Sequence, residues 1–390
     1  MISRNLRHFR LVLAVADLGS VTEASAVAHV TQPAVTQAIA KIEREAGGLI
    51  FDRGRGGLFL TPRGEVLTAR LRRAFALLDP ALEDVAPRLK LTVTSAQLKA
   101  LIAVREAENF TLAAQRMGMS QPTVHRAVTQ IEAEAGRRLF ERTAQGVVAT
   151  RPCAALAQAG RLAFYELDQA EADLAEFEGR EVGRIVIGSM PLSRSVLLPK
   201  ALAGFRAERP RLPVRVLDGP YDLLLAGLLR GEIDFLVGAL RDPAPLGEVM
   251  QRPLFDDQLA LIAGLDHPLA GRHDLTLDDL ARYPWIVPRA GTPTRVQFDA
   301  LFAEGGIVPP ASILECGSIL LMREMLGMSD HLGCISRQQA NAEIGKGLVR
   351  ALDFATRLPA RPIGLTLRTN WEPTAAQRLL LDLLQAAVPG

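Results

Sequence analysis

Thr31-Gln32-Pro33-Ala34-Val35-Thr36-Gln37-Ala38-Ile39-Ala40-Lys41-Ile42-Glu43 returns 89 residues later as Ser120-Gln121-Pro122-Thr123-Val124-His125-Arg126-Ala127-Val128-Thr129-Gln130-Ile131-Glu132. The same offset aligns Phe9 with Leu98, Ala24 with Ala113, Gly47 with Gly136, Phe51 with Phe140, Arg53 with Arg142 and Thr61 with Thr150, without a gap. A repeat this long marks two copies of one folding unit. Thr31 and Ser120 suit a helix N-cap, and Pro33 and Pro122 suit the first turn, where a missing N–H costs nothing. Val35, Ile39 and Ile42 share one helix face, as do Val124, Val128 and Ile131. The other face carries Gln32, Thr36, Gln37 and Lys41, or Gln121, Thr123, His125, Arg126 and Gln130. These groups can bond base edges or phosphates and need no core partner.

Around this helix the copies keep further signals. Val21-Thr22-Glu23-Ala24-Ser25 and Phe110-Thr111-Leu112-Ala113-Ala114 open a preceding helix, where Ala24 and Ala113 allow a close crossing. Gly47 and Gly136 stop the second helix, as glycine does in a left-handed C-terminal position. Ile50-Phe51-Asp52-Arg53 and Leu139-Phe140-Glu141-Arg142 then lead into short hairpins, with Arg53, Arg55 and Arg142 as candidate backbone contacts. Each unit reads as a winged helix-turn-helix whose second helix reads DNA. Two plain amphipathic hairpins would need none of these starts, stops and wing residues twice in one register.

Each unit resembles the N-terminal domain of LysR-type transcriptional regulators, with their Ser-Gln-Pro-Ala-Val-Ser start, Leu-Glu-x-x-x-Gly exit and Leu-Phe-x-Arg wing. That family usually carries Arg two residues after the Val; the second copy has Arg126 there and the first has Gln37. The family's Leu-Thr-x-x-Gly start of the linker helix is kept as Leu60-Thr61-Pro62-Arg63-Gly64, but has become Ala149-Thr150-Arg151-Pro152-Cys153 in the second copy. Most members have one such domain, so two in tandem is unusual.

The 390 residues allow two to four domains, and 48% hydrophobic content suffices for ordinary cores. Net charge is only +2, unevenly placed: residues 1–150 hold 20 Lys/Arg against 14 Asp/Glu (+6), and 151–390 hold 25 against 29 (−4). A basic front and an acidic back suit one part that meets DNA and one that stays off it. With no signal peptide and no span long enough for a membrane, a cytoplasmic location is expected. Cys153, Cys316 and Cys334 have no metal-like spacing, and their low, odd number fits a reducing compartment.

In chain order, residues 1–61 form the first reading unit. Residues 62–95 hold a linker helix to about Arg88 and a short tether, 89–95. Its stripe is Leu67, Leu71, Ala74 and Leu78, and Pro80 is expected to bend or restart it with Asp79 as cap. Residues 96–151 form the second unit and 152–182 a second linker helix, striped by Leu156, Ala159, Ala163, Leu167, Ala170, Leu174 and Phe177. The stripe suits pairing with another helix or docking on the chain's own globular domain. In single-copy relatives, two chains pair through antiparallel linker helices. A seven-residue tether spans at most about 23–25 Å. That lets residues 62–88 and 152–179 pair within one chain as a pseudo-dimer, although Pro80 shortens the first stripe. Pairing each linker helix with its counterpart in a second chain is the competing arrangement.

From Gly183 the period changes. Strands are expected at 184–188, 214–217, 234–238, 259–262, 285–287, 333–335 and 363–367. Helices fall at about 195–208, 221–230 and 375–387. The alternation implies a parallel sheet flanked by helices. Residues 183–390 are similar to the same family's effector domain, a two-lobed α/β fold like periplasmic binding proteins. The likeness rests on Gly231-Glu232-Ile233-Asp234, His267-Pro268-Leu269, Leu277 to Leu280 and the strand around Gly333. It implies lobe I at 183–252 and 355–390 and lobe II at 253–354, with crossings near Arg252–Leu254 and Arg350–Phe354.

In open α/β sheets ligands sit beyond the carboxyl ends of strands, against helix N-termini. That singles out Ser189, Met190, Leu192, Ser193 and Arg194 after the first strand, Pro288 and Arg289 after another, and Cys316 and Ser318 at a helix start. Hydroxyls and guanidinium groups there suit a small anion. Plainer roles are open too: Ser193 as a cap, Arg289 as a surface charge, Cys316 as a small buried residue. No catalytic residue, metal site or cofactor is expected. Gly188 belongs to no Gly-x-Gly-x-x-Gly, Gly345-Lys346-Gly347 lacks the rest of a phosphate loop, and Asp256-Asp257 reads as a solvated pair. The expected function is a DNA-binding transcriptional regulator controlled by a small metabolite. Its expected partners are double-stranded DNA, an anionic effector and further copies of itself, with RNA polymerase as a candidate and no membrane. The rivals are a small-molecule binding protein of another class, an enzyme on the two-lobed fold, and a redox-responsive regulator using Cys316 and Cys334.

Overall fold

The structure, a computed structural model, describes residues 4–144, 146–241, 247–354 and 358–388. The chain divides into two bodies, Met1–Gly183 and Arg184–Gly390.

The first body opens with α1 (Leu6–Leu18), α2 (Val21–Val27), α3 (Gln32–Ala46), hairpin β1 (Phe51–Gly54) and β2 (Gly57–Leu60), and α4 (Pro62–Val85). After a helical turn, α5 (Leu89–Thr92), the pattern repeats. Its members are α6 (Ser95–Ala107), α7 (Phe110–Met117), α8 (Gln121–Ala135), β3 (Phe140–Thr143), β4 (Gly146–Ala149) and α9 (Arg151–Glu176). Equivalent residues make equivalent bonds. Ser20 caps α2 and Asn109 caps α7. The Glu43 carboxylate accepts the Ile50 and Phe51 N–H groups at 2.9 and 3.3 Å, and Glu132 accepts those of Leu139 and Phe140 at 2.7 and 3.3 Å. The repeated glutamate therefore holds the start of each hairpin against its helix. Gly47 and Gly136 stop α3 and α8 at φ 74° and 64°, a left-handed conformation that costs glycine little.

Four local expectations change. Thr31 takes the extended N-cap backbone but its hydroxyl makes no capping bond, whereas Ser120 accepts the Thr123 N–H. Residues 89–95 are not an open tether: α5 buries Leu89, and Val93 follows it into the core. Helix α4 runs through Pro80 without restarting, and Asp79 binds Arg10 of α1 instead of capping. Burial of Leu78 and Leu82 on either side holds the helix across the bond that proline cannot make. The copies also differ after the hairpin. A Cβ at Gly64 would fall 2.1 Å from the Ile50 carbonyl oxygen, whereas the second copy buries the Cys153 side chain at the equivalent position.

Helices α4 and α9 lie antiparallel and form the most extensive helix pair of this body. Arg63 stacks over Phe177 at one end, Arg70 meets Asp173, and Arg73 meets Glu166 further along. Leu67, Leu71, Ala74, Phe75 and Leu78 are buried with Leu156, Ala163, Phe164, Leu167 and Ala170 in one core that also takes in both helix-turn-helix units. Each fully buried Leu or Phe contributes roughly 1.5–3 kcal/mol. Ala159 is only half-buried and Phe177 is exposed, so the expected stripe is narrower than its spacing implied.

In the second body, lobe I has the sheet order β6-β5-β7-β14-β8. Its strands are β5 (Ile185–Ser189), β6 (Val214–Asp218), β7 (Phe235–Ala239), β8 (Val249–Asp257) and β14 (Arg361–Arg368), with helices α10 (Leu197–Glu208), α11 (Tyr221–Leu229) and α16 (Ala375–Ala386). Lobe II has the order β11-β10-β12-β9-β13. It contains β9 (Leu259–Ala263), β10 (Trp285–Val287), β11 (Ile313–Glu315), β12 (Leu332–Ser336) and β13 (Arg350–Ala351). Its helices are α12 (Leu277–Ala281), α13 (Pro293–Glu304), α14 (Ile319–Met328) and α15 (Arg337–Ile344).

Neither sheet is purely parallel. β14 runs antiparallel to β7 and β8, and β9 antiparallel to β12 and β13, because the chain returns between lobes. The expected crossings also move. β8 is one strand paired with β14 as far as Asp257, so the chain leaves lobe I at Gln258 and not at Arg252–Leu254. On the return, Leu358 still belongs to the lobe II core, beyond the expected 350–354; residues 355–357 lie outside the described residues. No helix among the described residues is long and apolar enough to cross a membrane.

Candidate nucleic-acid interface and effector site

On α3 the outward groups are Thr31, Gln32, Pro33, Thr36 and Gln37, all exposed. Thr36 donates its hydroxyl to Gln32 O at 3.1 Å, which leaves the oxygen lone pairs as acceptors. Gln37 stands clear, and Lys41 lies 3.9 Å from Glu45. On α8, Ser120, Gln121, Pro122, Thr123, Arg126 and Gln130 are exposed. The Thr123 hydroxyl is held 2.7 Å from that of Ser120, and Gln130 accepts from Gln97 at 3.2 Å. His125 is half-buried against the Phe110 ring, so it shapes the surface more than it reaches from it. Arg126 stands outward on α8 at the place equivalent to Gln37, while α3 carries its exposed cation, Arg44, in its last turn. Arg53, Arg55 and Arg142 are exposed on the hairpins, where backbone phosphates would pass.

The residues expected to meet an effector fall into two groups. In lobe I, β6 and β7 flank β5 on opposite sides, so the chain's crossovers diverge at the carboxyl end of β5, where α/β sheets offer ligand sites. Ser189, Met190, Leu192 and Ser193 lie there in a buried turn. Their polarity is turned inward: the Ser193 hydroxyl lies 2.8 Å from Met190 O, 3.2 Å from Val237 O and 3.1 Å from the Ser189 hydroxyl. Arg194 pairs with Asp218 at 3.2 Å, outside the turn. Neither an open anion ligand nor a helix cap describes these bonds: the hydroxyl donates to carbonyl oxygens as the turn folds back over β7, and the N-cap of α10 is Val196, without a side-chain bond.

In lobe II, β11 and β12 flank β10 in the same way. Pro288 and Arg289 follow β10, and Cys316 follows β11; Gly317 lies beside the exposed Arg289 side chain, and the exposed Ser318 caps α14. Glu315 is the neighbouring anion, accepting from Ala290 N–H at 3.1 Å and Arg295 at 3.4 Å. No described hydrogen bond or ion pair joins Ser193 to Arg289, Cys316 or Ser318.

Four residues not expected at a ligand site, Arg241, Tyr221, Arg361 and Asp257, complete the picture. Arg241, just past β7, stacks at 4.3 Å over Tyr221, whose buried hydroxyl has no hydrogen-bond partner among the described residues. Burial holds the Arg241 guanidinium below its usual range, with Tyr221 and Asp222 opposing and Arg361 adding to the lowering. Arg361, at the start of β14, bonds Thr294 at the start of α13 and pairs with Asp257 at 3.1 Å. Asp257 also accepts the Ser336 hydroxyl at 3.0 Å and the Gln338 N–H at 3.3 Å. Asp257 is therefore not a solvated acid: its side chain is fully buried where the lobes join. Only its place in an acidic pair before a strand hinted at this.

Cys334 faces the lobe II core that holds Trp285 and Phe298, while Cys316 packs on the other face of the sheet with Ile286 and Met322. A disulfide between them would have to pass through β10. Burial also pushes the Cys334 thiol far up. Among the described residues, no cluster of three or more His, Cys, Asp or Glu is placed to hold a metal ion.

A helical DNA-reading body joined to a two-lobed α/β ligand-binding body defines a ligand-responsive transcriptional regulator. Residues 178–389 match the LysR substrate binding domain, and residues 6–65 and 95–154 each match the bacterial regulatory helix-turn-helix protein, lysR family. The chain is 33% identical to the HTH-type transcriptional regulator GalR of Pseudomonas putida over 387 residues, 98% of this chain and 97% of that one. It is 27% identical to the regulator PcaQ of Agrobacterium fabrum over 294 residues, 74% of this chain and 93% of that one. A full-length OxyR variant from Pseudomonas aeruginosa shares the fold with a TM-score of 0.53 at 21% identity, covering 75% of this chain and 98% of that one. The protein belongs to the LysR family of DNA-binding transcriptional regulators, with an effector-binding domain and no enzymatic role.

Proposed function

We propose that one polypeptide supplies a complete two-headed DNA reader, with two winged helix-turn-helix units paired through α4 and α9. The observation that carries this is the antiparallel α4–α9 core, which joins both repeats in a single body. The heads carry different side chains. Arg126 reaches a guanine edge or a phosphate, whereas Gln37 suits adenine. The reader would set its two helices about one DNA turn, roughly 34 Å, apart, on half-sites of unlike sequence.

The second body takes a small anion between its lobes, on a periplasmic-binding-protein-like plan. Arg241 with Tyr221 on one side and Arg289 with Ser318 on the other supply the cationic and hydrogen-bonding edge. Ligand binding biases lobe closure and so how copies of the chain, and RNA polymerase beside them, are arranged on DNA. The test is a mobility-shift titration of the full chain on DNA flanking its own gene, with and without small carboxylates. A salt-sensitive shift whose mobility or affinity changes with one carboxylate supports the reading. No shift on any flanking fragment defeats it.

A further inference from the structure

Several side-chain contacts at the periphery recur in both repeats. Arg72 of α4 pairs with Asp17, and its equivalent Arg161 of α9 pairs with Glu106, the equivalent of Asp17. Arg10 stacks on Phe75 as Lys99 stacks on Phe164. Phe75 and Phe164 are themselves equivalent and buried near the middle of the α4–α9 pair. A local two-fold axis therefore relates the halves, and it states what would face what if a helix paired with its own kind.

A cluster in the α4–α9 seam breaks this symmetry. Arg70 donates to Glu166 at 3.1 Å and to Asp173 at 2.8 Å, and Arg73 donates to Glu166 at 3.2 Å. The Arg70 and Glu166 side chains are only 3% and 6% exposed. The equivalents of Arg70 and Arg73 on α9 are Ala159 and Leu162, and the equivalents of Glu166 and Asp173 on α4 are Leu77 and Asp84.

We infer that the buried Arg70–Glu166–Asp173 cluster is a pairing code that admits α4 against α9 and rejects α9 against the α9 of a second copy. In the rejected pair, Glu166 and Asp173 would face Ala159 and Leu162 of the other chain, leaving four carboxylates at the seam with no cation. Arg161 does not help, because it points away to Glu106. Two α4 helices fare better, since Arg70 could meet Asp84 of the other copy. Making that pair, however, releases two α9 helices that cannot pair with each other. Removing one partner from a buried ion pair is far costlier than replacing the whole pair with apolar groups. The code thus works mainly against the wrong partner and adds little to the right one. Every reading body then holds one α3 and one α8, never two alike. This conclusion rests on the seam alone and stands or falls apart from any DNA result.

Tethering also favours the partner in the same chain, so the test removes it. The full chain carries Cys316→Ser, Ala76→Cys and a protease site inserted after Pro87; Cys153 and Cys334 are buried and stay unlabelled. A nitroxide on position 76, which is exposed beside the local axis, reports α4–α4 pairing as two labels within about two helix diameters, roughly 20–24 Å. After purification and cleavage, pulsed electron resonance measures label-to-label distances. With the native charges no such distance is expected, and the piece ending at residue 87 remains bound one-to-one to the rest. With R70L/E166L/D173L the short distance should appear, because like pairs no longer bury bare charge. A short distance with the native charges overturns the inference, as does its absence in a neutral variant that keeps its helical circular dichroism. If the triple variant does not fold, E166Q/D173N, which keeps side-chain volume, is read by the same two outcomes.

Discussion

Arg126 and Gln37 occupy equivalent places on the two reading helices, and both stand outward in solvent. An arginine there can grip guanine through two hydrogen bonds or clamp a phosphate, whereas glutamine makes a weaker or adenine-directed contact. Arg126→Ala is expected to lose about 1–3 kcal/mol of operator affinity, more than Gln37→Ala, as read from paired DNA titrations at one salt concentration. Equal losses would show that the heads contribute alike. The buried Asp257–Arg361 pair gives a second residue-level outcome. Arg361→Met strands a carboxylate that has no exposure, so unfolding should become easier by about 3–5 kcal/mol in denaturant melts. A loss below 1 kcal/mol would mean that the Ser336 and Gln338 bonds alone satisfy Asp257.

Within elements, α4 tolerates Pro80 because its buried face is long enough to hold the helix on both sides. An interior proline costs about 3 kcal/mol, and alanine in its place gives up about 0.4–1 kcal/mol of unfolded-chain restriction. Pro80→Ala should therefore stabilise the first body by about 2 kcal/mol, seen as a raised melting temperature. No gain would show that proline at this position favours the course α4 takes along α9. Lobe II carries a pH-dependent element. Burial holds His267 below its ordinary value of 6.5, with Asp330 opposing. Its Nδ1 accepts the Leu269 N–H at 3.0 Å, so the ring is neutral in the fold. A base whose folded value is depressed contributes its stability above 6.5 and loses it as pH falls below that point. Melting curves between pH 7.5 and 5.5 should fall more steeply for the native chain than for His267→Gln, and parallel curves would assign the loss to other groups.

For the whole molecule, the proposed two-headed reader, with unlike side chains on α3 and α8, implies an operator that is not palindromic. Replacing either half-site with a mirror copy of the other should weaken binding by about 1–3 kcal/mol for each mismatched base pair, measured by titration of the native and both symmetrised operators. Tighter binding to a symmetrised site would mean that the two helices read the same letters. The same arrangement makes Arg70, Glu166 and Asp173 matter beyond stability, because they decide which helices come together.

Much of this was legible in the chain itself. A repeat at a fixed offset, helix starts and stops, and three-four spacing are local properties, so both helix-turn-helix units and the long helices α4 and α9 follow from residue order alone. So does the alternation of strands and helices after Gly183, because side-chain period depends only on neighbours. What only the tertiary structure decided is where polar groups point and what they meet. Ser193 looked like an open ligand and is bonded inward by the turn that folds over β7. Asp257 looked solvated and is buried against an arginine 104 residues away. Glu43 and Glu132 carried no evident purpose until the hairpins came back to them. Antiparallel β14 and the late crossing at Gln258 depend on a return that no local pattern encodes. Burial and partner choice are set by residues distant in sequence, and those meet only when the chain is folded.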